Sequence, residues 1–119
     1  MMTGKTTWWF PDGDLPEPVP GDRFTSHESL MVLNPNDKPA TISLVFYWEN
    51  KPPTSAGGLV VEGERVRCIR IDRLEGVTIP YRTQYAIKVS SDVGVFVSYG
   101  RLDTAQPNFA LVGLMGSTE

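Results

Sequence analysis

The chain has 119 residues, 40% of them hydrophobic and 21% charged, with a formal net charge of −3. That length fits one domain over residues 1–119, with apolar material for a core that needs neither disulfide nor metal. The acidic balance argues against a strong nucleic-acid binder, which carries a basic face, and the single cysteine, Cys68, excludes an intramolecular disulfide.

Thr6-Thr7-Trp8-Trp9-Phe10 is β-branched and aromatic, as suits a first strand, and Pro11-Asp12-Gly13 is expected to end it. Pro16, Pro18 and Pro20 exclude helix or central strand from residues 14–22, since each lacks an N–H donor. That segment reads as an extended surface connection. Phe24 to Leu33 is the second strand, with Ser26-His27-Glu28 as a polar start to an apolar run. Asn34-Pro35-Asn36-Asp37 is strong turn chemistry, and it is expected to join this strand to the next as a hairpin. In Thr41 to Glu49, Ile42, Leu44, Phe46 and Trp48 share one face. That period of two marks a strand buried on one side.

Asn50 to Gly58 reads as a loop, followed by Leu59-Val60-Val61. Arg65 to Ile71 mixes arginines with apolar residues on both faces, as in a partly buried strand, a sheet edge or an interface. Leu74-Glu75-Gly76 turns the chain. Tyr85, Ile87 and Val89 then alternate with Ala86, Lys88 and Ser90. Ser91-Asp92 with Gly94 signals another turn, after which Val93, Val95, Val97 and Tyr99 share a face. Asn108 to Met115 has no polar side chain after Asn108 and is expected to be buried on both faces. One helical turn fits between Asp103 and Pro107. No window has a convincing 3.6-residue period. The ten prolines and eleven glycines act as punctuation between strands. The expected fold is all-β: a jelly-roll-like antiparallel sandwich of about seven to nine short strands. With no signal-peptide core and no run near ~18 apolar residues, the expected location is cytoplasmic.

The chemistry is sparse. Ser26-His27-Glu28 invites a catalytic reading, but alternation separates His27 from its neighbours, and a triad is defined by geometry rather than adjacency. The plainer reading of His27 is a ring held by a hydrogen bond near a strand end. One histidine and one cysteine make a zinc site improbable, and neither a metal nor a cofactor is expected. The acidic pairs Asp12 with Asp14 and Glu62 with Glu64 sit in or beside turns, where solvation and capping explain them. Arg101 and Asp103, two apart at a strand end, project to one side. They can bind each other, pair across an interface or hold a polar ligand. Trp8, Tyr47 and Trp48 are aromatic ligand candidates, with core packing as the default.

Ser26-His27-Glu28, Leu33-Asn34, Tyr47 with Lys51-Pro52, Arg65, Ile69-Arg70 with Leu74, Ile79-Pro80, Thr83, Tyr85-Ala86, Ser91, and Arg101-Leu102-Asp103 with Gln106 occur in this order. Over roughly residues 6 to 112 the chain resembles the small soluble transducers of microbial sensory rhodopsins. The resemblance implies a β-sandwich protomer in a cyclic homotetramer that couples to a membrane photoreceptor, without enzymatic activity. It also implies contacts with DNA and a likeness to carbohydrate-binding sandwiches. Three positions depart from the family pattern: Cys68 stands where a histidine is expected, Gly94 where a proline is, and Ser98 where a glutamine is.

These readings make a non-enzymatic, oligomeric signalling or regulatory binding module the leading expectation. A sugar-binding sandwich is the alternative, and DNA binding would call on Arg65, Arg67, Arg70 and Arg73. The binding or interface candidates are His27, Glu28, Asn34, Arg70, Arg101 and Asp103. The sharpest structural expectation is a polar cluster in which His27 or Glu28 meets the Arg101-Asp103 pair, in one subunit or across two.

Overall fold

A computed structural model describes residues 3–21, 24–104 and 110–118. Among these residues lie eight strands: β1 (Lys5–Asp14), β2 (His27–Asn34), β3 (Ala40–Trp48), β4 (Thr54–Val61), β5 (Arg65–Arg70), β6 (Gln84–Asp103), β7 (Ala110–Met115) and β8 (Ser117–Thr118). A single 3-10 turn, Ile71–Arg73, follows β5. The fold is an antiparallel β-sandwich. One sheet runs β4-β3-β6-β1-β8, and β5, β2, β6 and β7 form the other. The long β6 belongs to both. Its first part pairs β1 and β3, and its second part pairs β2 and β7.

Strand alternation sets the core as expected. Ile42, Leu44 and Phe46 are fully buried, as are Leu30, Val32, Ile87 and Val89 from neighbouring strands. Each such side chain contributes about 1.5–3 kcal/mol relative to an exposed one. β5 pairs only with β2, and only Ile69 of its six residues is buried. It is an edge strand, which explains its mixed faces.

Four local expectations are corrected. β2 and β3 do not form a hairpin: β2 pairs β5 and β6, while β3 pairs β4 and β6. The Asn34–Asp37 turn instead carries the chain from one sheet to the other, so both strands face a common core. Ser91-Asp92-Gly94 does not reverse the chain either. Pairing with β1 jumps there from Lys5↔Val95 to Thr7↔Ser90, and β6 passes from the first sheet into the second. Turn residues mark lost pairing, and here the loss is a bulge that bends one strand. A Cβ at Gly94 would stand 2.4 Å from the Thr3 carbonyl oxygen, so close backbone approach fixes glycine there. β4 starts at Thr54, five residues before the expected strand, with its register shifted between Ile42 and Leu44. The glycines Gly57-Gly58, expected in a loop, form a β-bulge within β4.

The fourth correction is β1, which continues past Pro11 to Asp14 with a register shift between Phe10 and Gly13. Gly13 is needed because the Tyr85 ring lies against it: a Cβ would come within 2.5 Å of Tyr85 Cζ. The strand expected over Asn108 to Met115 is present as β7. Burial of its two faces lies outside the described residues, as does the turn expected before Pro107.

Gly13→Ala is therefore expected to cost about 1–3 kcal/mol by overpacking. Gly57→Ala, whose new methyl would meet nothing nearer than Ser43 Oγ at 3.4 Å, is the control. Urea denaturation of both variants checks this, with the midpoint falling clearly only for Gly13→Ala.

Candidate functional site

The polar start of β2 lies against the end of β6. Ser26 and Thr104 are both buried. Their hydroxyls are 2.8 Å apart, and the Thr104 N–H donates to Ser26 Oγ at 3.0 Å. Two residues on, Glu28 pairs in register with Arg101 and His27 with Leu102. Alternation sends Glu28 inward, where it is fully buried.

Glu28 is the centre of the cluster. Its Oε1 accepts from the Tyr85 hydroxyl at 2.6 Å, and its Oε2 from the Asp14 N–H at 3.0 Å. Tyr85 and Asp14 pair with each other's strands in the first sheet, whereas β2 belongs to the second. The carboxylate thus ties the two sheets together through the core. Arg101 completes the surroundings: its Nη1 lies 3.4 Å from the Asp14 carbonyl oxygen and from Tyr99 Oη, and its guanidinium stands over the Tyr99 ring at 5.9 Å.

The electrostatics follow from this geometry. Burial raises the Glu28 carboxyl above its usual value. The hydrogen bonds from Tyr85 and the Asp14 N–H, and the charge of Arg101, pull it back, while the Asp14 carboxylate pushes it up. Burial, then the neighbouring Glu28, raises the Tyr85 hydroxyl. Asp14 Oδ1 is buried without a hydrogen-bond partner among the described residues. The two carboxyl groups are neighbours, but Glu28 is closed off from solvent, so this is no open cleft of the kind a glycosidase uses.

The expected cluster forms in part. Glu28 meets Arg101 within one chain. Asp103 takes a two-pronged bond from Arg82, at 2.9 Å and 3.2 Å. His27 faces away from Glu28, donating from Nδ1 to the Thr25 carbonyl at 2.9 Å, as the plainer reading had it. Asn34 is buried and gives its amide to the Lys38 and Val61 carbonyls at 2.7 Å and 3.0 Å. That places it beyond the reach of an external ligand and makes it the organiser of its turn. Arg70 forms a bidentate pair with Asp72, at 2.8 Å and 2.7 Å.

The aromatic candidates separate too. Trp8 is buried, its indole N–H donating to the Val95 carbonyl at 3.1 Å, which assigns it to the core. Trp48 packs on Tyr85 with ring centroids 5.8 Å apart and lies under the Lys51 ammonium. Tyr47 is exposed and stands 6.2 Å from Trp9. Among the described residues, no group of three or more His, Cys, Asp or Glu is placed to hold a metal ion.

Tyr85, Asp14, Gly13, Thr104 and Arg82 were not among the expected site residues. One sequence signal pointed to Tyr85: it shares a face with Ile87 and Val89, and a buried tyrosine hydroxyl needs a partner.

The elevated Glu28 carboxyl has a defined pH consequence. The folded state holds this proton more tightly than the unfolded chain, where the group titrates near 4.5. Its contribution is therefore full below that pH and is lost as pH rises through the folded value. Glu28→Gln cannot titrate, and it offers one acceptor oxygen where the carboxylate offers two, so one of its two donors, the Tyr85 hydroxyl or the Asp14 N–H, loses its acceptor, at a cost of about 1–3 kcal/mol. Thermal unfolding across acid to neutral pH checks this: the wild-type advantage over Glu28→Gln is expected to be largest at acid pH and to narrow as pH rises.

Residues 3–117 match the family described as ASRT, Anabaena sensory rhodopsin transducer. The crystal structure of Thermotoga maritima 1070 is similar, with a TM-score of 0.89 and 31% identity over 99% of this chain and 97% of that one. The Anabaena sensory rhodopsin transducer is similar with a TM-score of 0.76 and 29% identity over 91% and 96% of the two chains. No curated protein matches the sequence. This similarity supports a signalling-related module, and no helix among the described residues is long and apolar enough to cross a membrane. With its family match spanning nearly the whole sandwich, the chain belongs to the Anabaena sensory rhodopsin transducer family.

Proposed function

We propose that this chain is a non-enzymatic, cytoplasmic, homo-oligomeric binding module that relays the state of a membrane receptor of the rhodopsin type. A tetramer is the assembly that the family resemblance suggests. The carrying observation is the outer face of the second sheet. Leu33 pairs with Val66 on one side and Phe96 on the other, and these three are 43%, 67% and 44% exposed. The next row places Met31 between Cys68 and Ser98. An exposed antiparallel face is ordinarily polar. A contiguous apolar row across three strands fits a protein interface, and a second copy of the same face satisfies it by two-fold symmetry.

Phe96→Glu puts a charge at the β6 end of this row, on a half-exposed side chain. Light scattering of the wild type is expected to give a multiple of 13.2 kDa, and Phe96→Glu a smaller species. Tyr81→Ser, an exposed aromatic outside the row, is expected to leave the mass unchanged. A monomeric wild type would overturn the oligomer reading.

One observation favours a second reading, sugar binding. On the outer face of the first sheet Trp9 and Tyr47 stand side by side, with Lys88 Nζ 5.1 Å from the Trp9 ring. Such an aromatic surface beside polar groups suits stacking against a sugar ring. Titration with a soluble glucan oligosaccharide is expected to change tryptophan fluorescence, and Tyr47→Ala to abolish the change. An unresponsive wild type removes this reading and leaves the first intact. DNA binding draws less support, since Arg70 is committed to Asp72.

A further inference from the structure

β4 and β5 are edge strands of different sheets, and the sandwich is open between them. The gap is a concavity of about 470 Å³, within the range of small-molecule sites. Its floor is apolar. Leu59 and Leu74 are half-buried and pack against the core, and Ile69 belongs to it.

The rim carries cations. Arg67 and Arg73 both line the gap and are exposed. Arg67 is held in place by one N–H donated from Nη1 to the Val60 carbonyl at 2.9 Å, which leaves its other donors available. Neither Arg67 nor Arg73 has a carboxylate within ion-pair distance among the described residues, in contrast to Arg70, whose fork closes on Asp72. Glu75 is the acidic group of the lining. Two uncommitted guanidiniums above an apolar floor form an amphiphilic site: the fork geometry suits the oxygens of a phosphate, and the floor suits an apolar body.

We propose that the gap between β4 and β5 binds a phosphate monoester carried on an apolar body, with Arg67 and Arg73 taking the phosphate and Leu59, Ile69 and Leu74 the body. The site lies at the sandwich edge rather than on the apolar sheet face, so ligand binding and assembly can be measured separately on the same protein.

Titration calorimetry on the full chain tests this with phenyl phosphate as probe and with inorganic phosphate and phenol as its two halves. Phenyl phosphate is expected to bind at least tenfold more tightly than either half. The double variant Arg67→Gln/Arg73→Gln is expected to lose at least tenfold in affinity, and Glu75→Gln to gain, because it removes the rim's negative charge. All three are surface changes, and unaltered thermal unfolding confirms that the fold is kept. No binding of phenyl phosphate, or equal affinity in the double variant, would overturn the site. Co-sedimentation with phosphatidic-acid vesicles alongside phenyl phosphate binding assigns the ester to a lipid, and phenyl phosphate binding without co-sedimentation assigns it to a soluble compound. Light scattering in the same buffer keeps the two proposals apart: loss of ligand with the assembly intact rejects the site alone.

Discussion

The two sheets of this sandwich share one strand, and that constraint governs the rest. β6 gives its first part to β1 and β3 and its last part to β2 and β7. The sheets therefore cannot slide past one another as two independent layers can. Their relative orientation is set where β6 bends, and that bend is held by specific contacts. The Asn36 amide donates to the Gly94 carbonyl at 2.6 Å, and the Asp92 carboxylate takes the Thr41 N–H at 2.7 Å. Three of β6's four partners, β1, β2 and β3, are far away in sequence, so the fold depends on non-local pairing, which is slow to nucleate.

The buried carboxylate is a second tie between the same two layers, made through the core rather than along the backbone. A carboxylate withdrawn from water is costly unless hydrogen bonds and opposite charge compensate it. Glu28 receives both, from Tyr85, the Asp14 N–H and Arg101. The arrangement requires Gly13, because the tyrosine reaches the carboxylate only by passing over a residue without a side chain. One glycine in β1 is thus coupled to a polar contact between sheets. The cost that remains appears as the raised Glu28 carboxyl and the unpartnered Asp14 oxygen.

The fold class was legible because strand alternation is a local signal, and Thr41 to Glu49 or Tyr85 to Val89 state it plainly. Pairing was not legible, because partner choice is a property of distant segments. Asn34-Pro35-Asn36-Asp37 serves a hairpin or a crossover equally well, and only the core decides between them. The same holds for Ser91 to Gly94, where residues that end pairing with β1 do not reverse the chain. At the candidate site, the meeting of Glu28 with Arg101 was readable from two polar strand ends. The partner of Asp103 was not, because Arg82 comes from a loop, at a positive φ of 52°, and no periodicity places it. The role of Asn34 in its own turn was no more legible: a polar residue at a strand end looks alike in sequence whether it faces a ligand or caps its own turn.

A locked sandwich constrains how a signal can pass through it. With β6 common to both sheets and Glu28 bridging them, a relay by sheet sliding would have to break backbone pairing and a buried hydrogen-bond network together. The compatible route is a rigid body whose surfaces change partners. Its surfaces differ from one another: an apolar row on the second sheet, an aromatic pair beside a lysine on the first, and arginines without a carboxylate partner among the described residues at the edge between β4 and β5. On the proposed readings, the ligand edge and the assembly face meet at β5. Its Val66 lies in the apolar row, while Arg67, next in sequence, stands on the rim of the gap. Adjacent residues of a strand face opposite ways, so one short strand serves both surfaces.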